Sequence, residues 1–595
     1  MADKHSGVFE AARTLLERGP AGPAVRLMEH FLLPEQLEAA WLEATRRSIN
    51  SNVFAGFLAA MDVCYDCADQ DITRIPKSGP VLVVANHPFG LIEGAILAAL
   101  LARVRTDFKI LGNSLLAGVS TLRDYVIAVD PFGGAARSNW RPLRAALDWL
   151  RSGGALITFP AGEVSSFEIG RWEIADPAWH ENIPRLIQLS GASALPAFFQ
   201  GANGPGFHVA GLIHPRLRTA LLPRELLNKR GRTFRVFIGR EIASGRIAHL
   251  SSEGWATEYL RHRTHILQAR DLPKSWRFGT RQAPVAGPPE PAAMRDEIAA
   301  LEPENLLLET GDYRVYCAPP IRIPNVLREI GRLREIAFRK AGEGTGRSLD
   351  LDRFDTHYQH LWIWNSKAAE VAGAYRLAGT DSVRGRRDLY TSTLFRFRPG
   401  LLEQFHPALE LGRSFVRVEY QKNPIALLLL WKGIGRYIAR NPRYRILFGP
   451  VSISREYNRT SRDLIVSFLE AHCGNRELAR LVEPKRKLRP RRLRACNPRV
   501  LGSLLGSVDE LSDLVAELEP DGKGVPVLVR QYLNLGAQVL AFNVDADFSD
   551  VVDGLVVVDL RRLDRGVLDR YLSKTGAETF LTHHVAKTAS VTNVF

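Results

Sequence analysis

His87 and Glu93 stand six residues apart in "VLVVANHPFGLIEGAILAAL", residues 81–100, and their types and spacing could do chemistry. A carboxylate that accepts a hydrogen bond from one imidazole nitrogen leaves the other free to take a proton from a substrate hydroxyl. A hydroxyl is a poor nucleophile at neutral pH, so such a base works with a reactant that carries a good leaving group, and a thioester is one.

The elements that must position this pair are also written in the segment. Val81 to Ala85 is apolar without alternation, the pattern of a strand buried on both faces. Pro88 disfavours helical geometry at His87 and can begin a helical turn, while Gly90 permits an unusual backbone angle between strand and helix. A strand-turn-helix results, with His87 at the carboxyl end of its strand, where open α/β sheets bind ligands. A capping histidine beside an unrelated surface glutamate fits the same residues, and this segment alone does not separate the two readings. Three later segments converge with it: "LGNSLLAGVSTLRDYVIAVDP" at 111–131, ending in a strand tipped by Asp130; "ALITFPAGEVSSF" at 155–167, a strand breaking into Phe159, Pro160, Gly162 and Glu163; and "ASALPAFFQGANG" at 192–204.

Strands expected at 81–85, 126–129, 155–159 and 193–199 alternate with helices near 91–103 and 141–151, which predicts a largely parallel α/β sheet. Residues 23–62 read as helical, and 1–60 are set apart as an N-terminal helical segment ahead of an α/β domain over 61–280. "RQAPVAGPPEPAA", 281–293, carries Pro284, Pro288, Pro289 and Pro291 and marks a proline-rich linker over 281–303. Beyond it, over 304–595, paired strands "HLWIWN" and "EVAGAYRLAG", the strand "LELGRSFVRVEY", a helix over 424–440 and the strand "YRILFGPVSIS" describe an α+β domain.

At 595 residues the chain is long enough for two large domains. Its net charge of +15 favours acidic partners. The densest basic run, Lys485, Arg486, Lys487, Arg489, Arg491, Arg492 and Arg494, has no interleaved aromatic and no zinc-finger or helix-turn-helix pattern beside it. Nucleic acid is therefore set aside, leaving an acidic protein, an anionic lipid surface or plain solvent opposite the run. Of the cysteines Cys64, Cys67, Cys317, Cys473 and Cys496 only the first two form a CxxC pair; no zinc set is expected and the thiols read as reduced. No apolar run reaches the roughly 18 residues needed to cross a bilayer. The expectation is a cytoplasmic protein, peripheral on the cytoplasmic face of the inner membrane.

With Asn86, His87 and Glu93, then Phe159, Pro160 and Gly162, then Pro196, the order of segments over roughly 60–275 resembles the lysophospholipid and glycerol-phosphate acyltransferases. The resemblance implies that His87 and Glu93 are catalytic and that Asn86, Phe159, Pro160, Gly162 and Glu163 line the substrate. Two departures matter. The spacing is His-x5-Glu where the family usually has His-x4-Asp, as in the branch with haemolysin-like proteins and aminolipid O-acyltransferases. The family's Glu-Gly-Thr-Arg is replaced by Ala161-Gly162-Glu163-Val164-Ser165, which removes the guanidinium fork that would grip a phosphate.

Residues 304–582, through "LDLDRFDTHYQHLWIWN", "VAGAYRLAG", "LELGRSFVRVEYQKNPIALLLLWKGIGRYI", "LFGPVSIS" and "PVLVRQYLNLGAQVLAFNVDADF", resemble the ornithine-lipid N-acyltransferases, distant relatives of GNAT enzymes and acyl-homoserine-lactone synthases. That resemblance implies transfer of a 3-hydroxyacyl chain from acyl carrier protein, or from coenzyme A, to an amino acid's α-amine, with no bound cofactor. The product carries a free hydroxyl that the first half would esterify, so the whole chain resembles the bifunctional ornithine-lipid synthases. The attacking amine must shed a proton, and Glu410 is the expected acceptor, with Arg413 placing an acid group or the thioester oxygen. Asp352, Asp355 and His360 are expected along the amino-acid pocket, a structural role for them being an equal reading. "WKGIGR", 431–436, is a weak match to a pyrophosphate-cradling loop. A phospholipid acyltransferase with a carrier-protein docking module, and a non-catalytic lipid-surface protein, are the competing readings.

Overall fold

The computed structural model describes residues 43, 44, 46, 52–113, 120–129, 140–170, 172–213, 221–271, 282–489 and 493–592. Two compact units emerge, and their boundary does not follow the chain. One runs to Leu272 and takes in Arg492–Leu504; the other comprises Pro273–Arg491 and Leu505–Phe595.

The strands of the first unit are β1 (Cys64–Asp66), β2 (Val81–Ala85), β3 (Phe108–Asn113), β4 (Val126–Val129), β5 (Ala155–Thr158), a separate hairpin of β6 (Ser166–Glu168) and β7 (Glu173–Ala175), then β8 (Ser193–Phe199) and β9 (Thr233–Ile238). Among the described residues, seven form one sheet in the order β1-β9-β8-β2-β5-β3-β4. Its run from β8 to β4 is parallel, with Val83 opposite both Ile157 and Leu195, and β9 joins β8 antiparallel. The unalternating run 81–85 is buried throughout, as expected of a central strand. The helix Leu91–Leu101 is buried at every position after its first, and Ile96, Leu97 and Leu100 share a core with Phe54, Phe57, Val83, Ile157 and Phe199. Each large side chain so buried stabilises by about 1.5–3 kcal/mol. Of the helical stretch expected over 23–62, the helix Val53–Ala60 is described, capped by the Asn52 side chain; most of the rest, and Asp130, lie outside the described residues.

The second unit contains β10 (Leu306–Thr310), β11 (Tyr313–Ala318), β12 (Gln359–Asn365), β13 (Glu370–Gly379), β14 (Phe395–Phe397), β15 (Ala408–Val416), β16 (Ile446–Ile453), β17 (Val482–Pro484), β18 (Gln538–Asp545) and β19 (Val551–Asp559). Eight of them form a sheet in the order β10-β11-β12-β13-β15-β16-β19-β18, and β14 pairs with β17. All neighbours in the large sheet are antiparallel except β15 and β16, joined through the helix Pro424–Arg440. The parallel ladder holds only from Ala408–Ile446 to Glu410–Phe448, although both strands continue. On its other side β15 bulges against β13, and Arg413 takes a left-handed φ of 50° there.

Two expectations are corrected. The proline-rich stretch is not a free linker. Pro291 opens a helix, Pro291–Ala299, because proline at a first helical position gives up no hydrogen bond. Its Glu297 accepts the Asn325 and Val326 N–H groups at the start of the helix Pro324–Lys340, while Ala283 and Ala286 donate to the carbonyls of Gly346 and Ser348. Nor is "WKGIGR" a phosphate-cradling loop. It lies inside the helix Pro424–Arg440, where Gly433 meets Val315 and Leu361 and Gly435 meets the Tyr571 carbonyl, so its glycines serve close packing.

Candidate active sites

In the first unit the chain leaves β2 at Asn86. Its side-chain amide donates to the Phe199 carbonyl at 2.9 Å and accepts the Phe199 N–H at 2.7 Å, fastening the ends of β2 and β8. Both groups of the amide are thereby engaged, so Asn86 holds the sheet end together instead of facing a substrate. Gly90 follows at φ 110°, ψ −120°, a conformation for glycine, and the turn it makes brings Glu93, in the first helical turn, back beneath His87. His87 Nδ1 lies 3.4 Å from Glu93 Oε1. The same carboxylate oxygen accepts the Phe89 N–H at 2.6 Å, and Glu93 is fully buried. The imidazole stacks on Phe159 at 4.3 Å between centroids and keeps 17% of its side-chain surface exposed. A buried carboxylate stands 3.4 Å from one ring nitrogen, an aromatic face fixes the ring plane, and the ring still reaches solvent, an arrangement of the kind that general-base chemistry requires.

Pro160 is buried and its carbonyl accepts the His180 N–H, Gly162 turns at φ 69° against the His180 ring, and Glu163 is exposed. Asp176 and His265 carried no local spacing signal. Asp176 is buried, accepts the His87 N–H at 3.3 Å and the Ser165 hydroxyl, and lies 3.6 Å from His265. Burial would raise its carboxyl, but His265, Ser165 and the His87 amide together hold it below the usual range. On the other side of the loop, Lys229 is 2% exposed, donates to Asn203 Oδ1 at 2.7 Å, pairs with Glu225 at 3.1 Å and sits 5.2 Å over the Phe89 ring, while Asn203 donates to the Phe89 carbonyl. The loop that carries His87 is gripped from both flanks.

In the second unit the structure brings most of the expected residues into one buried network. Asp355 faces Arg334 at 3.1 Å and Arg376 at 3.3 Å, and Asp352 pairs with Arg376 at 2.7 Å. Burial would raise the Asp355 carboxyl, yet the two arginines outweigh it and hold it well below its ordinary value. His360 bonds the Asp355 carbonyl, and burial pushes its ring down to about 4, so it is neutral. Glu410 is corrected as the proton acceptor. It is fully buried and its oxygens accept the Tyr358 hydroxyl and the N–H groups of Tyr390 and Thr391 at 3.0 and 2.8 Å, which makes it an anchor for that loop. Arg413 faces Asp350 at 3.5 Å amid the rings of Phe548, Tyr390 and Phe338.

Three carboxyls overlooked in the sequence share the electrostatic reach of Arg413. Burial pushes Glu343 up to about 8 and Asp553 up to about 7 and raises Asp545, with Arg413 opposing each. Asp553 accepts the Ser452 hydroxyl at 2.7 Å and leaves its other oxygen buried without a partner. Carboxyls that titrate near neutrality can take a proton from an ammonium or hold one.

The basic run is anchored by its backbone. Lys485 and Arg486 donate to the Leu394 carbonyl and the Asn543 side chain, Arg486 accepts from Val544, and the Arg489 carbonyl accepts from Arg459. The side chains of Lys485, Arg486, Lys487 and Arg489 are exposed. Arg494 is exposed as well but belongs to the first unit; Arg491 and Arg492 lie outside the described residues. Among the described residues no group of His, Cys, Asp and Glu is placed to hold a metal ion, and no helix is long and apolar enough to cross a membrane.

Two family matches, one over each half of the chain, make this an enzyme of acyl transfer. Residues 22–272 match the Acyltransferase family and residues 333–432 the Acetyltransferase (GNAT) domain family. The chain belongs to the family of the glycine Nα-acyltransferases: it is 37% identical to that of Bacteroides thetaiotaomicron over 41% of this chain and 77% of the relative, and 32% identical to that of Phocaeicola vulgatus over 44% and 82%. It is also 27% identical to the lyso-glycine lipid O-acyltransferase of Bacteroides thetaiotaomicron, over 31% of this chain and 70% of that protein.

Proposed function

We propose that the chain carries out two successive acylations that build an aminolipid. The second unit transfers a 3-hydroxyacyl group from acyl carrier protein to the α-amine of an amino acid, and the first unit then esterifies the 3-hydroxyl of that lyso-lipid. The observation that carries this reading is the presence in one chain of likenesses to two separate relatives, one named for N-acylation and the other for O-acylation of the lyso-lipid. In the first step the neutral amine attacks the thioester carbonyl, the carrier's thiolate leaves, and the ammonium proton passes to Asp553 or Glu343. In the second, His87 takes the hydroxyl proton as the oxygen attacks a second thioester, Glu93 stabilises the imidazolium, and the proton returns to the departing thiolate.

Ornithine is the amino acid we expect. Glu343, Asp545 and Asp553 are buried within the reach of Arg413, and a second substrate ammonium beside them would draw these carboxyls into their ionised form, which favours such a substrate over glycine. The exposed Lys485, Arg486, Lys487 and Arg489 on their pinned backbone favour an acidic carrier protein as donor over coenzyme A. The test is expression in a bacterium that makes no aminolipid, followed by mass spectrometry of the lipid extract. A new phosphorus-free lipid with two acyl chains and an ornithine headgroup is expected. A glycine headgroup would overturn the amino-acid assignment, and an altered phospholipid profile with no new lipid would overturn the two-step reading.

A further inference from the structure

The hairpin β6–β7 stands out as an element that the chemistry does not use at its tip but depends on at its root. At the root, Ser165 donates its N–H to the His87 carbonyl at 2.8 Å, Asp176 accepts the His87 N–H at 3.3 Å, and the Ser165 hydroxyl bonds Asp176. At the tip, Ile169 is 62% exposed and Trp172 is 81% exposed, the latter held at a left-handed φ of 52° with its ring edge-on to Phe167. Beside it, the helix Pro205–Ile213 packs against β6 and exposes Val209 and Leu212, three positions apart and so on one helical face, at 56% and 49%. Large apolar side chains this exposed on neighbouring elements mark an interaction surface.

We propose that this hairpin and helix face insert into the lipid–water interface of a membrane and set the height of His87 above it. The proposal rests on the reading of the first unit as the enzyme that acylates a lyso-lipid. Tryptophan and isoleucine at a hairpin tip suit the headgroup boundary, where an amphipathic ring is preferred, while Glu168 and Glu173, opposite each other behind the tip, mark where the apolar part of the hairpin ends. About four extended residues, roughly 13 Å, separate the root of the hairpin from its tip, so the 3-hydroxyl must rise by that distance to meet His87. A base fixed at that height meets the hydroxyl of a lyso-lipid drawn partly out of the bilayer, with the far end of the acyl chain left in it.

The experiment uses the full chain and vesicles of phosphatidylethanolamine and phosphatidylglycerol, with or without bromine on the acyl chains. Ile169→Ser/Trp172→Ser should partition at least tenfold more weakly than the native protein. Trp172→Phe should lose a measurable part of the tryptophan quenching that brominated chains cause, although nine other tryptophans remain. O-acylation of lyso-lipid dispersed in detergent should stay within about twofold in both variants. Unchanged partitioning together with unchanged quenching would overturn the proposal, and so would a change confined to self-association in sedimentation, which would make the face a contact between copies. Absence of O-acylation by the native protein even in detergent would sink the two-step reading and leave the vesicle result to stand or fall alone.

Discussion

In the proposed second acylation His87 is the base and the buried Glu93, 3.4 Å from one ring nitrogen, supports it, so deletion and neutralisation should differ in degree. His87→Ala should lower the second acylation by about 10²–10⁴-fold, the range for a lost general base, and cause the mono-acylated lipid to accumulate. Glu93→Gln should act in the same direction by a smaller factor; thin-layer chromatography of labelled lipids reads both. In the second unit, Asp553 must be ionised to accept a proton, so N-acylation should fall as pH drops through about 7. Asp553→Asn should remove that inflection. Its effect on stability has a definite sign as well. The folded carboxyl holds its proton up to about 7 where the unfolded one releases it near 3.8, so native stability declines as pH climbs between these values. The asparagine variant should therefore melt at a higher temperature than the native protein at pH 8 and show little difference at pH 4. The His87 pair was legible because its partner lies six residues away across one turn. Asp553 and Glu343 were not, since only the meeting of distant strands and loops makes an ordinary acid unusual.

The same contrast holds for whole elements. Strands buried on both faces were readable from unalternating apolar runs, and the helices Trp140–Arg151 and Pro424–Arg440 lie where their periodicity predicts them. Proline density misled at Pro291, because proline interrupts a helix in its middle but begins one without loss. Glu410 misled for a different reason: as a carboxylate just before a strand it matched the need for a proton acceptor, while its surroundings show three donors to satisfy. Glu410→Ala should destabilise the second unit by about 3–5 kcal/mol, since it leaves three buried donors unpaired, and calorimetry should show it. Any residual N-acylation should keep the native pH profile, which loss of the proton acceptor would not allow. For the basic run, reversing Lys485, Arg486 and Arg489 to Glu should raise the apparent KM for acyl carrier protein several-fold, with the defect shrinking at high salt.

Across the molecule, the segment Arg492–Leu504 belongs to the first unit although it is encoded within the second half. Its helix Pro498–Leu504 packs on the helix Glu253–His265, the Arg494 carbonyl accepts from Gln268, Arg246 donates to the Leu504 carbonyl, and Leu501 and Cys496 are buried. Nothing in the composition of 492–504 announces this, because burial against a surface more than two hundred residues upstream leaves no local period. A fragment of 273–595 should consequently expose Cys496 and Leu501 and aggregate on size-exclusion chromatography. Replacing 493–504 with a glycine-serine tether should give a soluble fragment that still makes the mono-acylated lipid.

That return of the chain also orders events during synthesis. A domain whose last piece is translated after another domain cannot be completed first, whatever its intrinsic folding rate. The 219 residues from Pro273 to Arg491 must leave the ribosome before Arg492–Leu504 can reach the first unit, a delay of roughly 10–45 s at about 5–20 residues per second. The first unit is thus finished only once most of the second has emerged, so a nascent chain that stalls midway carries no completed first unit.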